Sequence, residues 1–121
     1  MSPAFHDLAT TRRSVRAYKA EPVPEALLQT VLEAGRLAPS ACNKQPWRFI
    51  VVRNETTRRA LGAAYAREWF WKAPVIIVVC VVPGEAWTRS YDGKNYALVD
   101  GALAMDHLML AAAEAGLGTC W

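Results

Sequence analysis

The stretch LAPSACNKQPWRFIVV, residues 37–52, joins three segments of different composition. A helical apolar pattern ends at Pro39, because proline lacks an N–H and pushes the residue before it out of the helical conformation. A polar loop with one hydroxyl and two side-chain amides follows from Ser40 to Gln45. Trp47 to Val52 is then an unbroken run of strand formers, which predicts a strand buried on both faces. The residues leave two interpretations open, an ordinary helix-to-strand connection and a rigid loop that binds a ligand.

A second polar cluster lies near the N-terminus, where Arg12, Arg13 and Arg16 surround Ser14. Guanidinium groups this close repel one another unless an anion or carboxylates lie among them, and their planar fork suits phosphate. The cluster is therefore either a solvated basic turn or an anion-binding site. The residues alone do not decide between the two.

Read together, these segments resemble the nitroreductase family of FMN-dependent NAD(P)H oxidoreductases. The family's opening Arg-Arg-Ser-x-Arg motif is matched at residues 12–16, and its P-S-x-x-N-x-Q-P-W-x-F motif is matched at residues 39–49. A third signature, GLGTCW, occupies residues 116–121. Each motif is short, but the three occur in order over almost the whole chain.

The resemblance implies the activity and the site. Hydride is expected to pass from NAD(P)H through bound FMN to a nitroaromatic, a quinone or a similar small acceptor, with no catalytic residue in the protein itself. Two FMN sites are expected at the interface of a homodimer, with the arginine segment from one chain and the polar loop largely from the other. The expected cofactor-binding residues are Arg12, Arg13, Ser14, Arg16, Pro39, Ser40, Asn43, Gln45 and Trp121.

The order of elements predicts an α+β fold of the three-layer type, in which helices flank a small central mixed sheet. By resemblance, residues 1–121 form a single nitroreductase-like domain. Asn54 is expected to cap a helix, and Gly116 is expected to end the most apolar one, whose residues Asp100, His107 and Glu114 lie on one narrow polar strip. The first predicted helix starts at Ser2–Pro3, and three further helices are predicted at about 24–38, 55–67 and 96–115. Two strands are predicted at 47–52 and 74–82, and a third is predicted to begin at Leu117.

Composition excludes several classes of protein. The hydrophobic share of 53%, with five Trp, predicts a subunit interface, because a chain of this size has little interior. The net charge of +3 is mild and the arginines form no stripe, so we expect no nucleic-acid partner. The longest uncharged apolar run, residues 73–83, is too short to span a bilayer. No leader pattern is visible, and three cysteines and two histidines lack metal spacing, so we expect a metal-free cytoplasmic protein with reduced thiols.

The family continues for several elements beyond the tryptophan matched by Trp121, so the resemblance implies that the C-terminal part of the fold is missing here. Other functions stay open: a flavin-free, non-catalytic fragment that dimerises through its apolar helix, or a family member specialised in dehalogenation or flavin fragmentation. His107 is either a catalytic base or a partly exposed helix residue. The triplet Trp69-Phe70-Trp71 either covers the sheet or places one ring at an interface or pocket rim.

Overall fold

The computed structural model describes residues 4–121, and the helix start predicted at Ser2–Pro3 lies outside them. The predicted α+β class is confirmed. Two short 3₁₀ turns span Ala41–Asn43 and Pro83–Glu85. The helices are α1 (Phe5–Thr11), α2 (Glu25–Arg36), α3 (Glu55–Leu61), α4 (Glu68–Lys72) and α5 (Ala97–Glu114), and the strands are β1 (Trp47–Val52) and β2 (Ile76–Val81).

The sheet is an antiparallel pair in which Trp47 lies opposite Val81 and Val52 lies opposite Ile76. A single parallel bridge between Ser14 and Thr119 lies outside this pair. The strand predicted to begin at Leu117 is present only as this bridge within the described residues. The bridge matters for the site, because it ties the arginine segment to the turn after α5.

The prediction that β1 is buried on both faces is wrong. Trp47 is 6% exposed, whereas Ile50 is 52% exposed and Arg48 is also exposed. Successive side chains of a strand point to opposite faces, and Trp47 and Phe49 are the ones that contact the helices. An apolar run cannot reveal that only one of its faces is covered.

The core lies between α2, α5 and the inner face of the sheet. Val31, Leu108 and Ala112 form its buried centre. Gly35 of α2 lies so close to α5 that a Cβ built on it would be 2.7 Å from Cδ2 of Leu108. Glycine therefore permits the close approach of the two helices.

The helix predicted over residues 55–67 ends early, at Leu61, and a separate helix, α4, begins only at Glu68. Asn54 caps α3 as expected, since its side-chain oxygen accepts a 3.1 Å hydrogen bond from the N–H of Thr57. The chain then turns at Gly62, the C-cap of α3. Arg58 stabilises the turn, because its guanidinium donates to the carbonyl oxygens of Trp71 and Ala73, at 2.9 and 2.6 Å. This long-range contact has no signal in local periodicity.

The aromatic triplet lies on α4, and all three rings are partly buried. Trp69 contacts Tyr18 and Tyr65, with ring centroids 6.4 and 5.7 Å apart. The guanidinium of Arg59 lies over Trp71, with its central carbon 4.2 Å from the ring centroid.

No helix in residues 4–121 combines the length and the apolar composition needed to cross a membrane.

Candidate functional site

The polar loop that follows α2 has an unusual backbone. Cys42, Asn43 and Gln45 all have positive φ angles, at 53°, 51° and 50°. Residues other than glycine rarely adopt this left-handed conformation, and when they do, the strain is concentrated at functional sites. The side chains of Asn43 and Gln45 are exposed, as is Pro39. The loop thus presents two amide side chains to solvent from a strained backbone.

Hydrogen bonds within the loop fix this conformation. The Oγ of Ser40 accepts a 2.9 Å hydrogen bond from the N–H of Gln45. The N–H of Asn43 donates to the carbonyl oxygen of Ser40, also at 2.9 Å. Because Ser40 uses an oxygen lone pair here, its hydroxyl hydrogen stays free to donate.

Asp100, which was not among the predicted cofactor-binding residues, holds the loop by a hydrogen bond. The N–H of Ala41 donates a 3.0 Å hydrogen bond to Oδ1 of Asp100, in the first turn of α5. Asp100 is 1% exposed. The available signal was a carboxylate at the start of a very apolar helix, where the helix dipole favours negative charge. His107, on the same strip, is partly buried, and its Nδ1 lies 3.2 Å from the carbonyl oxygen of Leu103.

The arginine segment lies at the other end of α5. Arg12 and Arg13 line an open pocket of about 200 Å³ together with Gly116, Leu117 and Thr119. In the described part of the chain, neither they nor Arg16 form an ion pair with a carboxylate. The guanidinium groups are therefore available to bind an anion.

The predicted residues Ser14, Arg16 and Trp121 are not among those that line this pocket. Ser14 is exposed and forms the bridge to Thr119, and Arg16 is exposed next to it. Burial and the nearby Cys120 raise the pKa of Tyr18, and the positive charge of Arg16 acts in the opposite direction. Trp121, at the end of the chain, is 71% exposed.

The two clusters do not meet within one chain. Asp100 lies in the first turn of α5, while Ala113, beside the arginine pocket, lies in its last turn. Since an α-helix rises 1.5 Å per residue, the two positions are about 20 Å apart along the axis. The described residues therefore form two separate polar clusters, one at each end of α5, which we call half-sites because each is a candidate for one part of a cofactor site.

The donors of these half-sites fit FMN. Unpaired arginines and backbone N–H groups suit its phosphate, and amide side chains suit the hydrogen-bonding edge of a flavin ring. Among residues 4–121, no group of three or more His, Cys, Asp or Glu side chains lies close enough together to hold a metal ion. The donor set therefore favours a phosphorylated organic cofactor.

Comparison with known proteins identifies the fold. The model of the nitroreductase family matches residues 9–68 and 62–121. A Thermus thermophilus NADH dehydrogenase is 51% identical over 59% of this chain and 35% of its own length. Rat iodotyrosine deiodinase 1 is 40% identical over 98% of this chain and 51% of its own length. An FMN-dependent nitroreductase from Clostridium difficile superposes with a TM-score of 0.82 at 29% identity, covering 94% of this chain and 63% of that one.

The chain thus spans between one third and two thirds of the length of these relatives. The match nevertheless extends from the arginine segment to the final tryptophan. The order of the motifs, the arrangement of helices around the antiparallel pair and the family match agree. This chain belongs to the nitroreductase family.

Proposed function

We propose that the protein is an FMN-dependent oxidoreductase that takes hydride from NAD(P)H and reduces a small acceptor such as a nitroaromatic or a quinone. The observation that carries the proposal is the pair of half-sites at the two ends of α5, unpaired arginines at one end and a strained amide loop at the other. The names of the relatives from Thermus thermophilus and Clostridium difficile support NADH and FMN as the redox pair. Residues 1–121 form one FMN-binding domain in this proposal, and the rest of the family fold lies outside them.

The arginine segment holds the phosphate end of the cofactor. Arg12 and Arg13 line the pocket, and Arg16 and Ser14 lie beside it on the segment held by the bridge to Thr119. Each charged hydrogen bond to a phosphate oxygen contributes about 1.5–3 kcal/mol. The segment therefore supplies much of the affinity for FMN without taking part in the chemistry.

The polar loop orients the flavin ring. Asn43 and Gln45 offer amide groups, Ser40 offers a hydroxyl hydrogen from an extended backbone, and Pro39 immediately precedes it. FMN supplies the hydride chemistry, which no side chain of this protein could perform. Trp121, exposed at the end of the described chain, contributes to the ring's surroundings.

Two chains are needed to complete each site in this proposal. The half-sites are about 20 Å apart along α5 in one chain, and α5 exposes Leu98, Val99 and Leu103. Leu98 is 78% exposed, and a surface of this kind is typical of an obligate homodimer interface. We place the protein in the cytoplasm, where its three free cysteines stay reduced.

A second candidate reaction is reductive dehalogenation. Rat iodotyrosine deiodinase 1 is similar over nearly all of this chain. The same flavin site would then donate electrons to a halogenated aromatic acceptor, which loses halide. The two candidates share the cofactor and differ only in the acceptor.

Flavin content and acceptor use test the proposal together. The purified protein is expected to be yellow, with near one FMN per chain, and to oxidise NADH or NADPH when a nitroaromatic or a quinone is added. Iodotyrosine in place of these acceptors, with iodide release as the measurement, tests the second candidate.

Two matched variants locate the cofactor. Arg12→Ala is expected to weaken FMN binding by at least about tenfold, because it removes a charged hydrogen bond. Arg53→Ala removes the same charge from an exposed ion pair with Glu25 and is expected to leave FMN binding unchanged. Protein that folds but binds no FMN, or equal affinities in the two variants, would overturn the proposal.

A further inference from the structure

The carboxylate of Asp100 is the most deeply buried charged group among the described residues, and only one of its two oxygens is hydrogen-bonded. Oδ1 accepts from the N–H of Ala41, but no group in residues 4–121 donates to Oδ2. Burying a carboxylate with one oxygen unpaired is costly. A buried polar atom without a partner is rare in folded proteins, so the acid needs an explanation beyond packing.

Its location suggests the explanation. Asp100 contacts the loop at Ala41, immediately before the three residues with positive φ angles, of which Cys42 and Asn43 are the next two. The hydrogen bonds inside the loop join Ser40 to Asn43 and Gln45 and leave the N–H of Ala41 to this carboxylate. The contact joins positions 59 residues apart. The strained loop backbone is therefore held by a residue from a distant part of the chain.

We propose that Asp100 is a positioning residue that holds the loop from Ser40 to Gln45 in its left-handed conformation, so that the amides of Asn43 and Gln45 are set for the cofactor before it binds. This inference rests on the proposed FMN site. Asp100 touches neither cofactor nor acceptor and acts through the N–H of Ala41. Strained loops persist only where surrounding structure holds them, and Oδ1 of Asp100 is the side-chain acceptor that another element adds to the hydrogen bonds within this loop.

Hydrogen exchange in the cofactor-free protein tests whether Asp100 holds the loop. Hydrogen exchange at the N–H groups of Ala41 and Gln45 is expected to be at least about tenfold faster in Asp100→Ala, which loses the acceptor. Asp100→Asn keeps a carbonyl oxygen in place of Oδ1 and is expected to stay within about threefold of the wild type. Leu108→Val, a change in the core of the same helix, is the control: it lowers the melting temperature but leaves these two exchange rates unchanged.

FMN titration of the wild type and the same three variants tests whether the held loop favours cofactor binding. The dissociation constant is expected to rise about tenfold in Asp100→Ala and to stay near the wild-type value in Asp100→Asn and Leu108→Val. Equal exchange in Asp100→Ala and Leu108→Val would overturn the inference, as would fast loop exchange with unchanged FMN affinity. An asparagine variant as impaired as the alanine variant would also overturn it, because the acceptor would then not be the cause.

Failure of the proposed function can be distinguished from failure of the inference about Asp100. If the wild-type protein bound no FMN, the proposed cofactor would be wrong. The exchange rates would still show whether Asp100 holds the loop.

Discussion

The N–H of Val15 donates a 2.8 Å hydrogen bond to the carbonyl oxygen of Thr119. This bond fixes the arginine segment against the turn that ends α5, next to Gly118. A Cβ built on Gly118 would lie 3.1 Å from three side-chain atoms of Val15. Since Val15 lies between Ser14 and Arg16, a methyl group added at residue 118 requires Val15, and with it the segment that carries the guanidinium groups, to move by a few tenths of an ångström.

Gly118→Ala is therefore expected to weaken FMN binding by about tenfold, the equivalent of one misplaced hydrogen bond. Adding Val15→Ala should restore part of the affinity, because it removes two of the three crowded atoms, Cγ1 and Cγ2. Gly84→Ala is the control, because nothing lies within 4 Å of a Cβ at that position. FMN fluorescence quenching measures all three, and equal affinity in the residue-118 and residue-84 variants would show that the segment adapts freely.

The structure also predicts a cost for filling the space between the two core helices. Gly35→Ala places a Cβ 2.7 Å from Cδ2 of Leu108. Overpacking costs about 1–3 kcal/mol, against a gain of about 1 kcal/mol from replacing glycine in a helix, so we expect a net loss of stability. Urea denaturation measures the free energy of unfolding.

The control for this loss is Leu108→Val in the Gly35→Ala background, which removes bulk at the contact and should recover part of the stability. Gly84→Ala should stay within about 0.5 kcal/mol of the wild type. A Gly35→Ala variant more stable than the wild type would mean that the helices are not in close contact at this point.

Much of the fold could be predicted from local sequence. The cap at Asn54, the end of α5 near Gly116 and the two apolar strands follow from local rules of side-chain chemistry and backbone conformation. The break between α3 and α4 could not be predicted, because Arg58 reaches carbonyl oxygens more than ten residues away. The burial of β1 was overestimated because an apolar run does not state how many of its faces are covered.

The candidate site shows the same division. Motifs placed Arg12 and Asn43 in the expected half-sites, but the role of each in binding stays a prediction. The positive φ angles of the loop had no signal in the sequence, and the carboxylate of Asp100 marked the start of α5 but not its contact with Ala41, 59 residues away. Sequence patterns name the groups that could bind, whereas strain and its support appear only in the folded chain.

Tyr18 gives a pH dependence. Burial and Cys120 raise its pKa above the usual 10.0, so the protonated phenol is favoured in the folded state. Its contribution is complete below the unfolded pKa and is lost as pH rises through the folded one. We expect the stability advantage of the wild type over Tyr18→Phe to shrink as the pH rises above the usual pKa of 10.0.

The variant Tyr18→Phe also loses the hydrogen bond from the hydroxyl to the carbonyl oxygen of Val15. It should therefore be less stable than the wild type near neutral pH, by about 1 kcal/mol. Tyr91→Phe, at a ring that is 79% exposed, is the control for the loss of a tyrosine hydroxyl as such and should stay within about 0.5 kcal/mol of the wild type near neutral pH. A constant difference between wild type and Tyr18→Phe as the pH rises above 10.0 would contradict the raised pKa.

The central claim is that each FMN site combines the arginine segment of one chain with the polar loop of another. Coexpression of two defective chains tests it directly, one with Arg12→Ala and one with Asn43→Ala and Gln45→Ala. Each variant alone should bind FMN weakly. In a mixed dimer, one site receives both defects and the other receives neither, so FMN bound at one equivalent per mixed dimer is the predicted result. A mixed preparation that binds no more FMN than the two variants do separately would contradict the claim.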